Sequence, residues 1–308
     1  AAEQRQKIDA AWPAQDRDGG RPGADDEIPT VPDHGEAESE HNEMADERHQ
    51  FGGQARQRDA QDIEAEMIAL ANADGNVATA AWGWSSREAR VPVRTDHLFQ
   101  IGSITKSFVG LVLLQLQDEG RFDVHAPVLE YLPWLPIEQP FGAITTHHLL
   151  THSSGFPSES PLFPAGGARL VPHYAPGRRF HYSNWAYDVL GTLIEQLDGQ
   201  PWPRAVERRI FAPLGMNSSS GAIVPADAAR AAASYVPATD GAYARRGALA
   251  VAGPLTVTRG AGSIAATPGD MARYITMLVN RGAGARSRVV SERAFEAFAT
   301  PHVLAEDF

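Results

Sequence analysis

Ser103-Ile104-Thr105-Lys106-Ser107-Phe108-Val109-Gly110-Leu111-Val112-Leu113-Leu114-Gln115-Leu116-Gln117 carries both the fold and the chemistry of this chain. The apolar side chains at 104, 108, 109, 111–114 and 116 go all the way round a helix instead of lining one stripe. A helix apolar on every side is buried at the centre of a domain. Gly120 is a natural stop for it. At its start, Ser103 and Lys106 are three residues apart and share a face. Free backbone N–H groups of the first turn can hold a developing oxyanion there. Only two of the chain's 27 basic residues are lysines, and Lys106 is one of them. Arginine does not surrender its proton at ordinary pH, whereas apolar surroundings disfavour the charged form of an amine. A neutral amine beside a hydroxyl can take its proton and make the serine a nucleophile. The expectation is therefore serine acyl transfer.

Outward from this helix, the chain alternates helix and loop signals. Met67–Leu70 and Val77–Trp82 flank Asp74-Gly75, which predicts a hairpin. An Arg/Pro-rich connector follows and ends at Leu98-Phe99-Gln100-Ile101. Helices are expected at about 146–151, at 185–197 with a stop at Gly199, and at 203–211 before the turn Pro213-Leu214-Gly215-Met216. Thr267-Pro268-Gly269-Asp270 supplies a cap, a first-turn proline and a first-turn acid for a helix to about 281. A last helix covers 292–298.

Composition bounds the function classes. The 308 residues are 43 % hydrophobic, enough for a sizeable core. The formal net charge is −11, of which residues 1–62 carry −9 (16 acidic and 7 basic side chains) and the remainder −2. Residues 1–62 read as an acidic, low-complexity tail without order, and 63–308 as the folded domain. There is no basic face for nucleic acid. The absence of cysteine excludes a thiol nucleophile and thiolate metal sites. No apolar run reaches the roughly 18 residues of a membrane span. His148 and His152 have i, i+4 spacing but no nearby acid completes a metal site, so both are read as structural beside the Ser153-Ser154-Gly155 turn. The residues imply no metal and no organic cofactor. Trp134, Trp185 and Trp202 are read as core or pocket wall.

The second motif is Tyr182-Ser183-Asn184, in a loop 79 residues after Ser103 and just before a helix. A tyrosine near a lysine can relay a proton, and an asparagine offers both a donor and an acceptor. By itself the triplet could equally be an aromatic followed by a helix cap. Together with Phe99–Phe108, Leu149-Leu150-Thr151-His152-Ser153-Ser154-Gly155, Pro176-Gly177, Ile210–Met216 and Gly260-Ala261-Gly262-Ser263 with Asp270-Met271-Ala272, it resembles the penicillin-recognising serine hydrolases. The likeness runs over about residues 66–300 and is to the branch of class C β-lactamases, D-alanyl-D-alanine carboxypeptidases and esterases. It implies an α/β (α+β) fold: a mostly antiparallel sheet flanked by helices, packed on a helical subdomain from about 120 to 255, with the active site between them. It also implies roles. Ser103 is the acylated nucleophile, and its backbone N–H is half of an oxyanion hole. Lys106 helps to deprotonate it, Tyr182 is general base and proton relay, and Asn184 orients Lys106 and the substrate amide. The expected partner is a small amide or ester, peptidoglycan-derived molecules among them.

Two features depart from that branch. Its third motif, a Lys/His-x-Gly triplet, does not occur between Gly262 and Phe308, and Arg245-Arg246-Gly247 comes too early in the order. The chain is accordingly expected to stop before one inner strand. It would then lack a group for a substrate carboxylate and a second oxyanion donor, whose loss costs about 10²–10³ in rate. The sheet would be incomplete, the hairpin at 67–82 would keep unpaired edges, and folding would suffer. In addition, residues 1–62 do not resemble the branch's usual opening. Two alternatives to an enzyme therefore stand: a non-catalytic binder of penicillin-like ligands, and an inactive fragment. The sequence assigns neither a compartment, envelope or cytoplasm, nor an oligomeric state.

Overall fold

The computed structural model describes residues 66–239, 244–253, 257–285 and 287–303. The acidic tail expected over 1–62 lies outside the described residues. The helix that decides the fold is α1, Thr105–Asp118. Phe108, Val109, Leu111, Val112, Leu113 and Leu116 are each fully buried, whereas Ile104, read from sequence as part of the same apolar set, precedes the helix and is exposed. Its end is a Schellman motif: Gly120 takes φ +69°, the Gly120 N–H donates to Gln117 O, and the Arg121 N–H to Leu116 O. A side chain at that φ would strain the turn, which is why glycine stands there.

Around α1 pack α4 (Asn184–Asp198), α5 and α7 (Glu292–Ala299). The α5 segment runs as Trp202–Val206, a π-helical Glu207–Phe211 and Ala212–Leu214. Of two short helices, α3 (Thr146–Leu150) packs on α4, and α2 (Val128–Tyr131) buries Val128 in the same core. On the other side, Phe108 stacks on Tyr274 of α6 (Pro268–Val279), with ring centroids 4.0 Å apart. The cap of α6 is the one read from sequence, with the Thr267 side chain accepting from the Asp270 N–H. Trp185 and Trp202 are core residues, whereas Trp134 is exposed and stacks on Phe163.

The strands pair antiparallel, as expected, but among the described residues they form four two-stranded ladders instead of one sheet. β1 (Glu66–Ala71) and β2 (Val77–Trp82) are the hairpin around Asp74-Gly75, and α6 lies against both. Among the described residues this hairpin has no third strand. β3 (Trp84–Ser86) and β4 (Val91–Pro92) form a bulged pair inside what reads as a connector. β5 (Phe99–Gln100) pairs with β8 (Ala265–Ala266). β6 (Ser234–Thr239) pairs with β7 (Ala244–Ala252), so the region from 120 to 255 is not wholly helical. The correction has a physical reason. Tyr235 and Val236 are adjacent and Pro237 follows them, so no period-2 pattern marks a strand, and it is the pairing with the next segment, β7, that makes one.

Leu111 and Leu113 sit about 200° apart on α1, and both are fully buried. Leu111→Ala and Leu113→Ala should each cost about 2–5 kcal/mol in urea unfolding. A helix with one buried stripe would show a large loss for only one of the two.

Candidate active site

Ser103 lies in a 3₁₀ turn, Gly102–Ile104, that leads into α1, not in the first α-turn itself. It is exposed, while Lys106 one turn further is only 6 % exposed. The hydroxyl thus faces solvent and the amine lies inside. This turn is stapled to the chain near β8. The Ile101 N–H donates to Ile264 O at 3.0 Å and the Ile264 N–H to Thr105 Oγ1 at 3.2 Å.

The staple brings the Gly260–Ser263 segment against α4. A Cβ on Gly260 would stand 2.2 Å from Tyr187 O, so only glycine permits the approach. The approach in turn sets Ala261 O beside Lys106. Lys106 Nζ has three oxygen partners: Asn184 Oδ1 at 2.7 Å, Ala261 O at 2.7 Å and Ser103 Oγ at 3.1 Å. Among the described residues no carboxylate forms an ion pair with it. A neutral amine has two N–H donors and one lone pair, and two of these partners can only accept. On a neutral amine in this place the lone pair would be left for the one partner that can also donate, the Ser103 hydroxyl.

Tyr182 OH stands 2.6 Å from Ser103 Oγ, on the side away from the core. Its ring also passes 4.7 Å from Lys106 Nζ. The loop that carries it is pinned by Ser183, which is fully buried. Ser183 Oγ caps α4 by accepting from the Ala186 N–H and donates to Pro157 O, and the Ser183 N–H donates to His152 Nδ1. The helix cap and the juxtaposition of Tyr182 and Asn184 are therefore the same feature. All four residues singled out in the sequence, Ser103, Lys106, Tyr182 and Asn184, meet at one point.

Sequence reasoning did not find the residues that support them. Ala261 contributes a backbone carbonyl, and a carbonyl leaves no trace in a motif. His152 was read only as a turn residue. Its ring lies 4.5 Å from the Tyr182 ring in a stacked arrangement, at a left-handed φ of +57°. His148 is engaged elsewhere, with Nδ1 accepting from the Thr145 N–H, so the i, i+4 histidines do not converge. Glu159 and Arg259 carried no signal at all. Asn184 Nδ2 donates to Glu159 Oε1 at 2.5 Å, Arg259 bridges Glu159 and Asp188, and the Ala261 N–H donates to Asp188 Oδ1 at 3.3 Å.

Burial, then neighbouring Lys106 and His181, push the His152 imidazole down from 6.5 to about 4. The folded state holds this ring neutral where the unfolded chain would protonate it. Its contribution to stability is therefore complete above pH 6.5 and is lost as pH falls towards 4. His147, likewise lowered to about 4, adds to the same loss. His152→Asn keeps an oxygen for the Ser183 N–H, tolerates positive φ and takes up no proton. Its melting temperature should fall less between pH 6.5 and 4 than that of the wild type. An equal fall in the two would mean that His152 is not held neutral.

The chain is 34 % identical over 165 residues to Esterase EstB of Burkholderia gladioli, a match covering 44 % of this chain and 41 % of that protein. It is 32 % identical over 159 residues to Penicillin-binding protein 4 of Amycolatopsis lactamdurans, covering 47 % of this chain and 42 % of the relative. Each match thus spans less than half the length of the relative. Among solved structures, the octameric penicillin-binding protein homologue from Pyrococcus abyssi superposes with a TM-score of 0.62 at 27 % identity, over 75 % of this chain and 55 % of that one. The family profile described as Beta-lactamase matches residues 54–307, and the chain belongs to the beta-lactamase family.

Proposed function

We propose that this protein is a serine hydrolase that forms an acyl-enzyme on Ser103 from amide or ester carbonyls. The observation that carries this reading is the position of Ser103 Oγ, within hydrogen-bond reach of both Lys106 Nζ at 3.1 Å and Tyr182 OH at 2.6 Å. Similarity to an esterase and to a penicillin-binding protein supports it.

The reaction runs in two halves. Ser103 Oγ attacks the carbonyl carbon while its proton passes to Lys106 Nζ, which becomes an ammonium. Negative charge develops on the carbonyl oxygen, and the Ser103 backbone N–H is a donor for it. When the tetrahedral intermediate collapses, the bond to the leaving group breaks. The proton returns through Tyr182 to the departing nitrogen or oxygen. Water then enters on the same face, gives a proton to the same relay, and releases the acid with Ser103 restored. Asn184 keeps Lys106 aimed throughout. Small esters, β-lactams and D-alanyl peptides all present a carbonyl that this attack can reach.

The test is covalent capture. A fluorophosphonate and a fluorescent penicillin are each incubated with the full chain, beside Ser103→Ala and beside p-nitrophenyl acetate turnover. Label on the peptide containing Ser103, absent in Ser103→Ala, is expected from the fluorophosphonate. Which of the two reagents reacts faster reports the substrate class. Lys106→Met and Tyr182→Phe should each lower ester turnover about 10²–10⁴-fold. A chain that unfolds cooperatively yet takes up no serine-dependent label would be a binding protein, and the hydrolase reading would fall.

A further inference from the structure

Resting on that reading, we infer that Glu159, braced by Arg259, is a positioning residue: it fixes which end of the Asn184 amide faces Lys106, and so where the amine's lone pair points. The two ends of an asparagine amide have nearly the same shape and opposite roles. The oxygen accepts and the nitrogen donates. Only the partners decide which end goes where. The lysine does not decide it alone: the form that receives the Ser103 proton is a neutral amine, and a neutral amine can meet either end. Turned one way, it donates an N–H to Asn184 Oδ1 at 2.7 Å, and its lone pair stays with Ser103. Turned the other way, Asn184 Nδ2 would donate into that lone pair, leaving nothing to receive the Ser103 proton.

Glu159 removes the choice. Its Oε1 stands 2.5 Å from Asn184 Nδ2 and, as a carboxylate, can only accept. The flipped amide would set oxygen against oxygen. The hydrogen bond from Asn184, and after it the Arg259 guanidinium, hold the Glu159 carboxyl below the usual carboxylate range, against the opposing effect of burial.

Arg259 joins this contact to the second acceptor of the lysine. Its Nη2 donates to Glu159 Oε2 at 3.2 Å and to Asp188 Oδ2 at 2.7 Å, and Asp188 Oδ1 accepts from the Ala261 N–H. The Ala261 carbonyl then accepts from Lys106. The polar contacts close into a ring running from Lys106 through Asn184, Glu159, Arg259, Asp188 and Ala261 back to Lys106. Both fixed acceptors of the amine depend on it. Among the described residues, neither Glu159 nor Arg259 hydrogen-bonds Ser103 or Tyr182, so their influence on the reaction passes through the lysine. The Glu159 side chain is 59 % exposed. An exposed ion pair adds little to folding, so activity and stability should separate on its removal.

The experiment measures p-nitrophenyl acetate hydrolysis by the full chain, with active sites counted by fluorophosphonate uptake, for wild type, Ser103→Ala, Glu159→Leu and Glu159→Gln. Glu159→Leu should lower kcat per reactive serine at least ten-fold, with KM and melting temperature close to those of the wild type. Glu159→Gln has a single acceptor oxygen for which Asn184 and Arg259 compete, and its kcat should fall between the other two. Loss of active sites or of melting temperature without loss of kcat would make Glu159 structural and overturn the inference, as would a kcat for Glu159→Leu within two-fold of the wild type. If the wild-type protein hydrolyses the ester no faster than Ser103→Ala, the hydrolase reading itself fails. Serine-dependent hydrolysis that ignores Glu159 overturns this inference alone.

Discussion

The hold of three oxygens on the Lys106 amine is the constraint on which the rest of the site depends. A primary amine taken out of water needs partners for its hydrogens, and leaving them unmet is costly. Here the partners come from three distant stretches of chain: Ser103 in the same turn, Asn184 at the start of α4, and the Ala261 carbonyl beside β8. Every element that brings these stretches together therefore serves the amine. The buried α1 fixes its base, and the β5–β8 pairing carries the 261–264 segment alongside Ser103. The bare Cα of Gly260 lets that segment sit on the backbone of α4.

The same arrangement separates burial from access. Lys106 is inside, whereas Ser103 and Tyr182 are exposed. Ser103 Oγ is reachable from solvent without opening the core, and Tyr182 beside it is backed by the neutral ring of His152. Asn184 stands between the two environments. Its oxygen faces the amine and its nitrogen faces the Glu159–Arg259 pair.

Much of this was legible in the amino acids, for identifiable reasons. The apolar residues encircling α1 could only mean burial. Gly120, Gly199 and the Thr267 cap marked helix ends where they occur, because end chemistry is local. Ser103, Lys106, Tyr182 and Asn184 stood out because a serine three residues before a rare lysine and a Tyr-Ser-Asn triplet are short, local patterns of side chains. What could not be read depends on contacts between distant residues. Glu159 and Arg259 look like any other surface charges until folding sets them against Asn184 and Asp188. Ala261 acts through a carbonyl that every residue possesses.

The claim that Lys106 is enclosed and fully engaged can be measured directly, since the chain has only two lysines. Reductive methylation of the native protein, followed by peptide mass mapping, reads the access of each amine to reagent. The account predicts that Lys106 remains unmodified in the native protein and becomes methylated once the chain is denatured in urea. Methylation of Lys106 at the same rate in the native and the denatured protein would show an amine free in solvent, and the account would be wrong.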